Sequence, residues 1–186
     1  MTQSNSTIGR ETPQVTARAK VLGRAVYAGD HKLPGMLHGK ILRSPYPHAR
    51  IVSIDTSAAR ALPGVKAVLT GDDAPATLWG VHHKERAILA KGLVRYCGEE
   101  VAAVAAVSDE IARDALDLIQ VEYEELPAIL STEEALDEDA PGIHPGRNNV
   151  AEVVAFDRGD VDAGFAAAHL IHEQIYTTHS QYPGYM

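Results

Sequence analysis

At 186 residues with 45% apolar content, the chain holds one good-sized domain, or one domain plus an extension. A formal net charge of −8, with Lys and Arg scattered among acids and only 5% aromatics, excludes a broad phosphate-binding patch and a base-stacking platform. The single cysteine, Cys97, excludes an intramolecular disulfide and a Cys-ligated zinc finger or iron–sulfur cluster made from this chain alone.

Residues 1–18 are rich in Ser, Thr, Asn and Gln at the start and are expected to form a flexible arm, with structure beginning near Ala19. Residues 21–27 are interrupted by Gly23, and Gly29-Asp30 and Leu33-Pro34-Gly35 mark turns. Residues 36–43 read as a strand that Ser44-Pro45-Tyr46-Pro47 closes. Residues 49–54 read as a second strand, with Ile51 and Ser53 on one face and Val52 and Ile54 on the other. Asp55-Thr56-Ser57 offers caps for a short helix through Ala58, Ala59, Arg60 and Leu62, which Pro63-Gly64 ends before a strand over 65–69.

After a less regular stretch from Thr77 to Arg86, the chain repeats this strand–helix–strand order between Leu93 and Ala128. Residues 101–107 (VAAVAAV) are too uniformly apolar for a strand with one wet face, and suit a strand covered on both sides. Ser108 supplies an N-cap, Asp109 and Glu110 favour the positive end of the helix dipole, and Ala112, Ala115, Leu116 and Ile119 form one helical face. Residues 118–124 return as a strand that Pro127 stops. Ser131-Thr132-Glu133-Glu134 has capping-box spacing, and residues 137–149 form a long polar connection of the kind that links domains or wraps a partner. Residues 150–156 are extended, Gly159-Asp160 opens a short helix, and residues 170–178 read as a strand with no partner downstream.

Candidate chemistry is sparse. No dinucleotide fingerprint, P-loop or serine nucleophile elbow is present. Cys97, between Tyr96 and Gly98, is expected to be a buried, inert thiol. His82 and His83 would point to opposite faces of an extended segment, and His169 and His172 would share a face only on a helix, which Ile171 and Ile175 disfavour. His48 is expected to brace the turn at Pro47. Glu99-Glu100, Glu122/Glu124/Glu125 and Asp137-Glu138-Asp139 read as solvated faces rather than as an acid–base pair. The polar start of the chain has no signal-peptide core and no run reaches membrane-spanning length, so the expected location is cytoplasmic.

A series of short motifs nevertheless resembles one family in order. They are Gly23-Arg24-Ala25-Val26-Tyr27 with Asp30, the run from Leu33 to Gly39, and Ile41-Leu42-Arg43-Ser44-Pro45-Tyr46-Pro47-His48-Ala49-Arg50-Ile51. Ile54-Asp55-Thr56-Ser57, Leu62-Pro63-Gly64-Val65, Val94-Arg95-Tyr96 with Gly98-Glu99, the run from Val121 to Pro127, Asn148-Asn149, Gly159-Asp160-Val161 and Tyr176-Thr177 follow. Together they resemble the start of the large, molybdopterin-binding subunit of the xanthine dehydrogenase/aldehyde oxidase (molybdenum hydroxylase) family.

The resemblance implies an α/β (α+β) fold, with an a/b hammerhead domain over residues 19–130. A linker with short helices over 131–169 and the first strand of a molybdenum-cofactor domain over 170–186 would follow. It also implies an oxidoreductase complex in which molybdopterin is held by the remaining large-subunit polypeptide, with iron–sulfur clusters and, where present, FAD on partner chains. The family's Gly-rich cofactor loops and catalytic Glu fall beyond residue 186, and Pro183 stands near where a family His would fall. No catalytic, cofactor-binding or metal residue is therefore assigned, and no cofactor is expected to bind this chain alone. The resemblance points to a structural subunit or domain that completes the large subunit. The alternative is a stand-alone interaction or scaffold module that keeps the hammerhead fold.

Overall fold

A computed structural model of the chain describes residues 9, 11–80, 83–179 and 181. These divide into two units, Met1–Asn149 and Val150–Met186. In the first unit, a short helix α1 (Ala17–Val21) and a 3-10 turn at Ala28–Asp30 precede the first strand. The helix starts two residues before the expected Ala19, and it buries none of its side chains.

Among the described residues six strands follow: β1 (His38–Arg43), β2 (Ala49–Asp55), β3 (Val65–Thr70), β4 (Leu93–Val94), β5 (Glu100–Ala106) and β6 (Gln120–Glu125). Helix α2 (Ser57–Ala61) joins β2 to β3, and α3 (Asp109–Asp117) joins β5 to β6, as the sequence pattern predicts. The pairing is less foreseeable. The strands form two three-stranded antiparallel sheets, ordered β1-β5-β3 and β4-β2-β6. Each strand–helix–strand unit therefore splits, sending one strand to each sheet.

Two apolar cores result. The larger joins Ala59 of α2, Val68 of β3, Ala102, Val104 and Ala106 of β5, and Ala112, Ala115 and Ile119 in and after α3. Alanines at these contacts let both helices approach the sheet closely, at little side-chain entropy cost. Ser108 caps α3, its hydroxyl accepting from the Ile111 N–H at 3.2 Å. The second core gathers Ala49, Ala90, Val94 and Val101, with Tyr46, Ile51, Ile54, Val121 and Tyr123 packed at its edge. Burying Val94 and Val101 completely contributes about 1.5–3 kcal/mol each. Burial also pushes the Tyr123 hydroxyl up from its ordinary pKa, against the lowering effect of a Ser44 hydrogen bond.

Two local expectations change. In β2 the pairing with β6 shifts register between Ile51 and Ser53, a bulge that inserts Val52. Ile51 and Ile54 consequently both pack on the second core, and the strict alternation of faces fails. In β5 the alternation does hold: Ala102, Val104 and Ala106 are buried, whereas Ala103 and Ala105 are half-buried. The expected cover on both sides of the whole strand is thus complete on one side only.

Residues 131–149 also belong to the first unit. Helix α4 (Thr132–Leu136) has the expected capping box: the Ser131 hydroxyl accepts from Glu134 N–H at 3.1 Å, and the Glu134 carboxylate accepts from Leu130 N–H at 3.0 Å. The polar connection after it is tied down by Asn149. Its side-chain oxygen accepts from Ile143 N–H at 3.0 Å, and its amide donates to the carbonyls of Ala135 at 3.3 Å and Pro141 at 3.2 Å.

In the second unit, α5 (Val161–Ala167) is capped by Asp160, whose carboxylate accepts from Ala163 N–H at 2.9 Å. No described residue of this unit is buried, and Phe156 and Ile175 are 85% and 89% exposed. Residues 170–178 carry no strand pairing, in contrast to the strand read from their β-branched pattern; a strand forms only where another offers hydrogen bonds to it. The Pro183 position, set against the family pattern above, lies outside the described residues.

Candidate functional site

The segment with the most recognisable sequence, Arg43 to Ile51, leaves β1 and enters β2 through a turn held by Ser44. The Ser44 side chain is almost fully buried; its hydroxyl donates to the Tyr46 carbonyl at 2.9 Å and accepts from Tyr46 N–H at 3.0 Å. Facing this turn is the loop between β4 and β5, where Gly98 takes a φ of +93° that favours glycine. Gly98 N–H donates to the Ser44 carbonyl at 2.8 Å, and Ser44 N–H donates to that of Glu99 at 2.9 Å. The two loops form one polar ridge.

Charged groups line that ridge. The Arg43 guanidinium donates to Glu100 at 2.6 Å and to the Gly98 carbonyl at 2.7 Å, and Tyr96 donates to Glu100 at 3.1 Å. Desolvation acts to raise the Glu100 pKa, but backbone hydrogen bonding, Arg43 and Tyr96 outweigh it, so the carboxyl sits below its ordinary value. Arg86 lies 5.0 Å from the Trp79 ring centroid and 5.4 Å from that of Tyr96, and donates to the Tyr96 hydroxyl at 3.0 Å. Glu99 is buried, with its carboxylate accepting from Arg95 N–H. A cavity of about 180 Å³ beside these groups is lined by Glu85, Arg86, Arg95, Tyr96, Glu99, Ile143 and His144. His144 stands 3.6 Å from Glu85 across it.

The arrangement joins β1, β2, β4 and β5; Arg43 is met by a carboxylate and a carbonyl of the same chain, and Arg86 by the Tyr96 hydroxyl and two aromatic rings. The depressed Glu100 pKa gives a sign to its contribution. Stability from the Glu100 contacts is full above the unfolded Glu value of about 4.3 and is lost as pH falls through the lower folded value. Glu100→Gln is therefore expected to narrow the difference between urea midpoints measured at neutral and at acid pH, compared with the unsubstituted protein. An equal difference in both proteins would refute this.

The residues singled out from sequence are dispersed. Cys97 is exposed rather than buried, because the turn at Gly98 holds it outside both sheets; its sulfur faces the carbonyls of Ser44 at 3.8 Å and Pro45 at 3.6 Å. His48 braces more than its own turn: Nδ1 lies 2.6 Å from the Pro127 carbonyl, tying the start of β2 to the end of β6. Glu122 and Glu124 lie on the outer face of β6, bonded to Ser53 at 3.2 Å and paired with Arg50 at 2.8 Å. His172 meets the phenol of Tyr176, four residues on, at 3.3 Å. His82 lies outside the described residues. No local pattern marks Arg86 and Trp79 as structural, and Asn149 stands out only within a motif, since its partners lie 6 to 14 residues away.

The a/b hammerhead domain of aldehyde oxidase and xanthine dehydrogenase matches residues 22–127. The chain belongs to this family. The hammerhead chain is 42% identical over 173 residues to the nicotinate dehydrogenase large molybdopterin subunit of Eubacterium barkeri, covering 92% of this chain and 40% of that protein. It is 38% identical to the carbon monoxide dehydrogenase large chain of Afipia carboxidovorans, covering 87% of this chain and 22% of that one. Among solved structures, aldehyde oxidoreductase from Desulfovibrio gigas matches with a TM-score of 0.72 at 35% identity, over 85% of this chain and 19% of that one. The hammerhead chain thus spans well under half the length of these relatives.

Molybdopterin, named for the first relative, demands donors for its phosphate and polar partners for its pterin. Among the described residues, no buried side-chain nitrogen or oxygen lacks a partner, and no three His, Cys, Asp or Glu side chains gather as metal ligands. No helix among the described residues is long and apolar enough to cross a membrane.

Proposed function

We propose that this chain is the structural N-terminal part of the large subunit of a molybdenum-dependent hydroxylase or dehydrogenase, without a catalytic centre of its own. The observation that carries the reading is the hammerhead match over residues 22–127, in a chain spanning 40% of one large molybdopterin subunit and 22% of another large chain. In such an assembly the molybdenum cofactor supplies the redox chemistry, and protein groups bind and orient it and the substrate. The cofactor belongs to the remaining large-subunit polypeptide, with iron–sulfur and, where present, flavin subunits as partners in the cytoplasm. Residues 131–169 then serve as the linker and 170–186 as the first strand of the cofactor domain, pairing once that domain is present.

Purification from the source cells through an affinity tag tests this. The chain is expected to emerge with the rest of a large molybdopterin subunit, continuous with it or bound to it, and with molybdenum near one atom per chain. A well-folded, molybdenum-free monomer without that polypeptide would overturn the reading in favour of a stand-alone scaffold module.

A further inference from the structure

The β1-β5-β3 sheet has one face against α2 and α3, and its other face follows from the registers. Ile41, Ala103 and Leu69 lie opposite one another across the three strands, and Gly39, Ala105 and Ala67 form the adjacent row. Lys40, bonded to Asp109 at 2.7 Å, and Leu42, packed on the larger core, mark the helix side of β1, so the alternate residues 39 and 41 face away. Ile41 and Leu69 are 44% and 47% exposed at the two edges. Between them the small residues Ala103 and Ala105, both half-buried, leave a shallow trough. Beyond this row the register of β1 and β5 shifts, Leu42 pairing with Ala102 but Arg43 with Glu100, and Val101, skipped there, is fully buried in the second core. The cover supplied by this chain therefore stops between Val101 and Ala103.

From this arrangement we infer that residues 39, 41, 67, 69, 103 and 105 form the docking face for an apolar surface of the remaining large-subunit polypeptide. The inference rests on the function proposed above. None of the six residues is charged or bears a polar side chain, and the charges in the next row, Arg43 and Glu100, are paired with each other at 2.6 Å. Such composition belongs to permanent interfaces, which resemble a domain core cut in two, whereas exchangeable partners meet at more polar surfaces. The relatives supply the permanent neighbour. Their own chains continue well beyond the share matched here, which is 40% of one protein and 19% of another. The sequence agrees, because an apolar run like 101–107 is suited to a strand buried on both faces.

The test places a photo-reactive p-benzoylphenylalanine at position 69, or at position 110 on exposed α3 as a control, in the protein as it exists in its source cells. Irradiation followed by peptide mass spectrometry is expected to give a crosslink from position 69 to the remaining large-subunit sequence. Its yield should exceed that from position 110 about tenfold. In parallel, Ile41→Lys with Leu69→Lys is expected to reduce recovery of molybdenum-loaded complex about tenfold or more. Crosslinks from position 69 to a second copy of this chain or to an iron–sulfur or flavin subunit, or none at all, would overturn the docking face while leaving the proposed function intact. Failure of the large-subunit sequence to accompany the tagged chain would overturn both.

Discussion

Gly71→Ala is expected to destabilise the first unit by about 1–3 kcal/mol, although the change adds one methyl group to a turn. A Cβ at this position would stand 2.3 Å from the Ala90 carbonyl oxygen, 2.9 Å from its carbon and 3.0 Å from Lys91 Cβ. The obstacle is space rather than backbone conformation, since Gly71 is not among the positive-φ glycines. Nor can the neighbour yield easily. Ala90 is buried, its N–H donates to the Glu100 carbonyl at 2.6 Å, and the Gly92 carbonyl accepts from Ile51 N–H at 3.0 Å, so the segment before β4 is fastened to strands of both sheets. Urea denaturation of Gly71→Ala beside Gly29→Ala is the measurement. Gly29 has nothing within 4 Å of its added Cβ, so its midpoint should hardly move. Equal midpoints for both variants would show that the turn relaxes freely.

The second large effect is local. Asn149→Ala removes three hydrogen bonds that hold the 137–149 segment, one accepted and two donated. Loss of this clamp is expected to cost about 1–2 kcal/mol, or about five- to thirtyfold more opening of the segment. Trypsin reads this directly, because exposed Arg147 lies inside the clamped loop and exposed Arg158 lies in the second unit. Cleavage after Arg147 should accelerate by that factor while cleavage after Arg158 stays unchanged, provided opening is fast relative to cutting. Asn149→Asp keeps the acceptor for Ile143 N–H but loses both donors, so it should fall between the two. An unchanged rate at Arg147 would mean that other contacts, such as the Arg95 Nε to Ile143 carbonyl bond of 3.4 Å, carry the loop.

These two positions also mark the boundary of what local sequence conveys. Helices α3, α4 and α5 and their caps were legible because Ser108, Ser131 and Asp160 act on N–H groups three residues away, whereas α1 was not legible as a helix and the Thr56 N-cap of α2 makes no side-chain bond. Strand existence was legible from β-rich runs ended by Pro and Gly. The 170–178 run is unpaired in this chain, since propensity marks a segment suited to a strand but supplies no partner for its hydrogen bonds. Cys97 shows another: its neighbours in sequence are apolar enough to suggest burial, but the turn at Gly98 directs it outward.

By itself the sequence determined the order of β1, β2, α2, β3, β5, α3, β6, α4 and α5, the caps of the last three helices and the family resemblance, because all of these depend on short-range spacing. Only the tertiary structure decided that each strand–helix–strand unit splits between two antiparallel sheets. It also decided that the Val52 bulge turns Ile51 and Ile54 to the same core, and that Asn149 ends the first unit. Those outcomes depend on pairing between residues distant along the chain, whose register is set by which faces can be buried together rather than by local preference.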